Sequence, residues 1–158
     1  MAKVFLICGK ICSGKTTYAE KLAKKESGVI LSSDELMLSL FDPLLGEKHD
    51  EISRRANAYL MELAVKIAQA GTSVILDWGF WTHGGRLEAT AFFREKGVEC
   101  EWHYVRVSDE QWERNIEKRN AEVLAGTVQA YFVDEGLKNK LLSRFEEPDH
   151  TEIGVTIG

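Results

Sequence analysis

The strongest chemical signal in this chain is the run Gly9-Lys10-Ile11-Cys12-Ser13-Gly14-Lys15-Thr16. It matches GxxxxGK[ST], directly after the apolar stretch Val4–Cys8 and directly before a segment of helix formers. A phosphate needs several N–H donors converging on it, and Gly9 and Gly14 let the backbone curl into such a nest. The start of the next helix adds unpaired N–H groups and a favourable dipole. Lys15 is then placed to reach the β- and γ-phosphate oxygens, and the Thr16 hydroxyl to hold Mg²⁺. The pattern reads as a site for a nucleoside triphosphate with magnesium, formed by Gly9, Lys10, Cys12, Ser13, Gly14, Lys15, Thr16 and Thr17.

Other residues could complete a phosphoryl-transfer site. Asp34 follows the short apolar run Val29-Ile30-Leu31 and could accept a proton from a substrate hydroxyl attacking the γ-phosphorus. Beside Ser32 and Ser33 it could equally cap a helix. Asp77 closes Val74-Ile75-Leu76 in the manner of a Walker B carboxylate that orders magnesium, or else accepts backbone amides. Next come Trp78, Phe80, Trp81 and His83, aromatics that either wall an organic substrate or cover the edge of the core. Arg86 either turns toward that pocket or is solvated at a helix start. Further on, Arg114, Lys118 and Arg119 offer fork-like or point-charge donors to the charge of a transferring phosphoryl group, or form a solvated face balanced by Glu113 and Glu117.

Alternating strands and helices must position these groups. Strands are expected at Val4–Cys8, Val29–Leu31, Val74–Leu76 and Glu101–Val107, with a short last one at Glu152–Ile157. Helices are expected at Thr17–Lys25, Leu36–Leu40, Glu51–Ala70, Arg86–Lys96 and from Ser108, a capping residue with Gln111 three places on, to Glu122. Val128–Phe145 reads as mostly helical with a break at Gly136, and Phe41–Asp50, containing Pro43 and Gly46, as a loop or broken helix. Strand followed by helix, repeated four times, means an α/β fold with a parallel sheet covered by helices on both faces. Ligands of such folds bind at the carboxyl ends of the strands, where Gly9, Ser32–Asp34, Asp77 and Val107–Asp109 all fall.

The 158 residues, 44% hydrophobic and 28% charged, suit one globular domain, with a short lid around 114–127. A net charge of −5 argues against nucleic acid as a partner. Cys8, Cys12 and Cys100 form no paired set and are expected as reduced thiols in the cytoplasm. The chain enters a strand at once, so no signal peptide is expected, and no apolar run approaches the ~20 residues that span a bilayer. A monomer or a homodimer is expected.

The sequence resembles the small P-loop phosphotransferases that include gluconate kinase, chloramphenicol phosphotransferase and the kinase half of polynucleotide kinase. More closely it is similar to the compact bacterial AAA-domain ATP-binding proteins of that group. The likeness is carried by Gly9–Thr17, Leu31–Glu35, Leu76–Trp81 with Arg86, His103–Val105, Arg114 through Arg119-Asn120, and Phe145–Pro148. It implies a P-loop NTPase fold of nucleoside-kinase type, five strands in the order 2-3-1-4-5, with a lid after the fourth. It also implies that Asp34 acts as base toward the acceptor, that Arg114 or Arg119 clamps phosphates, and that the loop after Asp77 lines the acceptor pocket. The function expected is ATP-dependent phosphorylation of a hydroxyl on a small molecule. Polynucleotide 5′-kinase activity and a non-enzymatic nucleotide-dependent regulator are the alternatives.

Overall fold

The computed structural model describes residues 2–42, 46–128 and 130–158. Five strands form one parallel sheet: β1 (Val4–Cys8), β2 (Val29–Leu31), β3 (Val74–Gly79), β4 (Cys100–Val105) and β5 (Val155–Ile157), in the order β2-β3-β1-β4-β5. The order and the flanking helices are those implied by the resemblance, a P-loop NTPase type of fold. β1 is central and every one of its residues is buried, which is why it reads as a continuous apolar run rather than an alternating one. Val4, Leu6 and Cys8 join one hydrophobic cluster and Phe5 and Ile7 another, because side chains alternate across the pleat.

The helices divide between those faces. α1 (Lys15–Glu26) covers one with Ala19 and Leu22. On the other lie α3 (His49–Gln69), through Ala64, Val65 and Ala68, and α4 (His83–Glu95), through Ala89 and Phe93. A third cluster joins α5 (Asp109–Leu124) to α6 (Glu135–Arg144) through Trp112, Ile116, Val133 and Leu141. The short α2 (Ser33–Leu40) follows β2, and a 3-10 turn, Gly46–Lys48, leads into α3. Pro43, part of the expected loop, lies outside the described residues.

Several element ends differ from the sequence expectation for local reasons. α4 starts at His83 because the Thr82 side chain accepts from Gly85 N at 3.0 Å, an N-cap one turn earlier than expected. The helix expected across 128–145 spans only α6 among the described residues. Asp134 caps it by accepting from Leu137 N at 2.8 Å, and Asn120 holds Val133 in an extended segment by bonding both its N–H (2.7 Å) and its carbonyl (2.8 Å). Gly136 does not break α6: it sits in the first turn, where the N–H groups lack intrahelical partners anyway. The last strand is shorter than Glu152–Ile157 because Glu152 is engaged elsewhere.

Its partner is Arg86, only 2% exposed and not a solvated helix-start residue. The guanidinium donates to the Phe80 carbonyl (2.7 Å), the Glu146 carbonyl (2.8 Å) and Glu152 Oε1 (3.0 Å). One buried fork therefore ties the loop after β3 to two points of the carboxyl-terminal segment. Burial pushes the Glu152 carboxyl up, but hydrogen bonds from Arg86 and His83 hold it below its ordinary 4.5.

Replacing Arg86 leaves those acceptors facing the interior without a donor. Arg86→Met should cost about 3–5 kcal/mol in urea unfolding, and Arg86→Lys should rescue little, since a single ammonium cannot reproduce the fork. Because the folded pKa of Glu152 is depressed, its ion-pair contribution is present above pH 4.5 and lost as pH falls through the folded value. The stability difference between wild type and Arg86→Met should therefore shrink in acid.

Candidate active site

The loop between β1 and α1 has the backbone of an anion cradle. Gly14 adopts φ 98° and Cys12, without glycine's freedom, φ 59°, turning successive amides inward. At Gly9 a Cβ would stand 2.8 Å from both Ser13 Oγ and the Val105 carbonyl oxygen, so only glycine fits there. Ser13 Oγ is buried and has no hydrogen-bond partner, and Lys15 Nζ folds back onto the Lys10 carbonyl at 2.6 Å. Ser13 is thus a donor without an acceptor, and Lys15 has N–H groups beyond the one given to Lys10, which suits a phosphate chain.

Side chains from α5 hold this conformation in place. Trp112 Nε1 donates to the Ile11 carbonyl at 2.7 Å, and Asn115 Nδ2 donates to the Cys12 carbonyl at 2.8 Å. They fix the two carbonyls on either side of the turn that Cys12 makes. The Trp112 indole is itself pinned, with Lys10 Nζ over its ring at 4.7 Å and Lys138 Nζ at 5.7 Å. Sequence reasoning missed Trp112 and Asn115: their partners are backbone carbonyls about a hundred positions earlier in the chain, which no local pattern reveals.

A cleft of about 1000 Å³ opens over the loop at the carboxyl ends of the strands. Cys12, Gly14, Lys15, Thr16, Thr17, Asp34, Asp77, Trp78, Trp81 and Arg119 of the sequence-derived set all line it. The pairing of β1 with β3 shifts register between Ile7 and Cys8, so Cys8 opposes Gly79 and Asp77 stands at the loop's edge. There Thr16 Oγ1 donates to Asp77 Oδ2 over a long 3.4 Å. Across the cleft, Ser32 caps α2 by accepting from Glu35 N at 3.3 Å. That leaves Asp34, the next residue but one, open to the cleft instead of serving as the cap.

Charge inside the cleft is mutually dependent. Enclosure by protein lowers the Lys15 ammonium from its usual 10.5, against the pull of Asp77 and then Asp34. The same enclosure raises the carboxyls of both aspartates above 3.8. Lys15, His49 and Arg119 draw Asp34 back down, whereas Asp34 itself raises Asp77 further.

The other candidates lie outside this cleft. Arg114 is exposed and bonded to Gln111 Oε1 at 2.9 Å, whereas Arg119 lines the cleft, since five residues turn a helix by about 140° beyond a full revolution. Phe80 is buried against Trp102 (centroids 4.9 Å apart, interplanar angle 84°), covering the core as its alternative reading allowed. His83 bonds Glu152 at 2.9 Å, and Arg86 is the buried fork described above. The Lys10 side chain lines a separate cavity of about 330 Å³. Residues that the sequence reading passed over also line the main cleft: His49, Asn115, Tyr131, Phe132 and Asp134. The rings of His49 and Tyr131 meet edge to face at 5.6 Å and 89°, a contact between positions 82 residues apart in sequence.

The three cysteines are free, and burial pushes the Cys8 thiol up to about 11. Among the described residues no helix is long and apolar enough to cross a membrane, and no group of three His, Cys, Asp or Glu could hold a metal ion.

Comparison with known proteins places this geometry. An unliganded sugar kinase from Janibacter sp. HTCC2649 matches with TM-score 0.70 at 17% identity, over 99% of this chain and 85% of that one. The Mycobacterium tuberculosis APS kinase in complex with AMPPNP and APS matches with TM-score 0.70 at 18% identity, over 99% and 87%. Chaetomium thermophilum Kti12 in complex with ADP-AlF3 matches with TM-score 0.73 at 19% identity, over 98% and 88%. At these identities the likeness is one of fold. No curated protein matches in sequence. The family model described as "AAA domain" matches residues 4–148, from the start of β1 to beyond α6, and the chain belongs to that family.

Proposed function

We propose that the chain is an ATP-dependent kinase that phosphorylates a hydroxyl of a small molecule. The observation that carries this reading is the convergence of Lys15, Thr16, Asp77 and Arg119 with Asp34 on one cleft. A switch protein needs the first four, but has no use for a cap-free carboxylate facing them. The acceptor oxygen forms a bond to the γ-phosphorus while the bond from that phosphorus to the β,γ-bridging oxygen breaks. ADP departs and the hydroxyl proton passes to Asp34. Fold neighbours bearing the names sugar kinase and APS kinase support the class of reaction. The net charge of −5 favours a small acceptor over a nucleic-acid end.

Thr16 and Asp77 are hard oxygen donors 3.4 Å apart and would hold Mg²⁺. When bound, the ion neutralises charge on the β- and γ-phosphate oxygens. Lys15 would exchange the Lys10 carbonyl for phosphate, and Arg119 would meet the transferring group from α5. Three free cysteines fit a reducing, cytoplasmic setting.

A screen for transfer of label from γ-labelled ATP to hydroxyl compounds tests the activity. Asp34→Asn should keep ATP binding and lose about 10²–10⁴-fold in kcat. Loss of ATP binding in that variant, or unchanged turnover, would refute the base assignment. Since Asp34 must be ionised to accept the proton, kcat/KM should fall in acid through a pKa above 3.8. The same raised pKa means that folding binds the proton more tightly, so ionised Asp34 destabilises the native state as pH rises through it. Asp34→Asn should accordingly raise Tm at neutral pH, an effect that solvent reaching the exposed carboxylate keeps small.

The clamp on the loop makes a separate claim. Asn115→Ala, which frees the Cys12 carbonyl, should weaken ATP binding by about three- to tenfold in a direct titration, the worth of one hydrogen bond. An unchanged Kd would show that the loop keeps its shape without α5.

A further inference from the structure

We propose that the acceptor is an amino alcohol or amino sugar, carrying an ammonium group beside the hydroxyl that is phosphorylated. The proposal rests on the kinase reading and concerns the acceptor half of the same cleft.

Sorting the charges that line the cleft leads there. The described lining residues include six carboxylates but four Lys and Arg cations. Three of the cations are committed to the donor side. Lys15 belongs to the phosphate loop; Lys118 and Arg119 sit one turn along α5 from Asn115, whose side chain is bonded to that loop. A triphosphate brings about four negative charges to this corner, so these three are needed where they are. The fourth, Lys140, is held by Asp50 at 2.8 Å. Among the described lining residues no Lys or Arg is left to receive a carboxylate, phosphate or sulfate on the acceptor.

The helix ends point the same way. α2 and α6 bring their amino termini to the cleft, and bare helix starts would draw an anion. Each already carries its own acids: Asp34 and Glu35 on α2, Asp134 and Glu135 around the start of α6. An anionic acceptor would meet these carboxylates first. An ammonium meets the opposite situation, because Glu35 and Asp134 line the cleft beside Asp34.

The apolar part of the wall is equally suited to a cation. Trp78, Trp81, Tyr131 and Phe132 present aromatic surface to the cleft, and Tyr131 lies near enough to Asp34 to feel its charge. Aromatic faces attract an ammonium and also pack against the carbon skeleton of a sugar or amino alcohol. Asp34 remains free for the hydroxyl proton, so recognition and proton removal fall to different carboxylates. The transfer is the one given above: the acceptor oxygen gains phosphorus, ADP leaves, and the proton goes to Asp34 while the ammonium stays protonated on Glu35 and Asp134.

Matched triplets test the proposal: glucosamine, glucose and gluconate, and 3-amino-1,2-propanediol, glycerol and glycerate. Binding of each is measured by calorimetry to the full chain loaded with Mg·AMPPNP, and turnover by ADP release with Mg·ATP. Within at least one triplet the ammonium member should bind, and react, about tenfold better than the neutral member, and the carboxylate member worst. Glu35→Gln and Asp134→Asn should each narrow the ammonium-to-neutral ratio at least threefold; asparagine keeps the α6 cap, so folding is preserved in the second variant. A neutral or anionic member that is preferred, a ratio unmoved in both variants, or no binding by any member overturns the proposal and leaves the kinase reading to its own test. Preferential binding of the ammonium members with no transfer upholds the ammonium site and overturns the kinase reading.

Discussion

The ammonium of Lys15 is the constraint on which the site depends. Two aspartates whose ionised forms are disfavoured by their enclosure share one cleft, and Asp34 raises the cost of ionising Asp77 further. Lys15 is the cation that makes both tolerable. It is itself enclosed enough that its own charge is disfavoured, so neither side of the arrangement is stable alone. Such a cluster is poor material for stabilising a fold, and its persistence requires the surrounding structure to supply what the cluster costs.

That support comes from two directions. Below lies β1, buried on both faces, which fixes where the loop begins; the register shift beside it brings Asp77 to the loop without bending the sheet's core. Above lies α5, which reaches down to the carbonyls of Ile11 and Cys12 through Trp112 and Asn115. α5 also carries Arg119 into the cleft, so the helix that brings this cation to the cleft is the one that shapes the loop. A displacement of α5 would alter both at once. The shape of the loop and the position of Arg119 are in this way linked through two hydrogen bonds.

How far these relations were legible in the sequence follows from their range. The strands near β1 and the loop Gly9–Thr16 were readable because each rests on neighbours in the chain: an apolar run, glycines at fixed offsets, helix formers after them; the order of the strands came only with the family resemblance. Asp34 was ambiguous for an equally local reason, since Ser32, Ser33 and Asp34 are all competent caps, and only the observed bond from Glu35 N to Ser32 settles which one is used. Arg86 misled because a basic residue near a helix start is ordinarily solvated. Its burial depends on three acceptors, two of them some 60 residues or more away in sequence. Phe80 and Trp81 are adjacent and chemically alike, yet one closes the core and the other faces the cleft, a distinction made by φ 46° at Phe80 rather than by residue type.

The same difference in range separates the two sides of the cleft. One side is a continuous loop with Asp77 delivered by the neighbouring strand. The acceptor wall is assembled from β2's end, the start of α3, the loop after β3 and the segment leading into α6. No two of those segments are adjacent in sequence, and each contributes only one or a few side chains. A substitution in most of them changes the wall without disturbing the sheet or the loop, since only Trp78 and Ile30 pack against the clusters around β1, and both at their edges. Acceptor choice can thus change while the fold and the phosphate site stay fixed, and charge distribution within the cleft says more about this chain's substrate than its likeness to any kinase does.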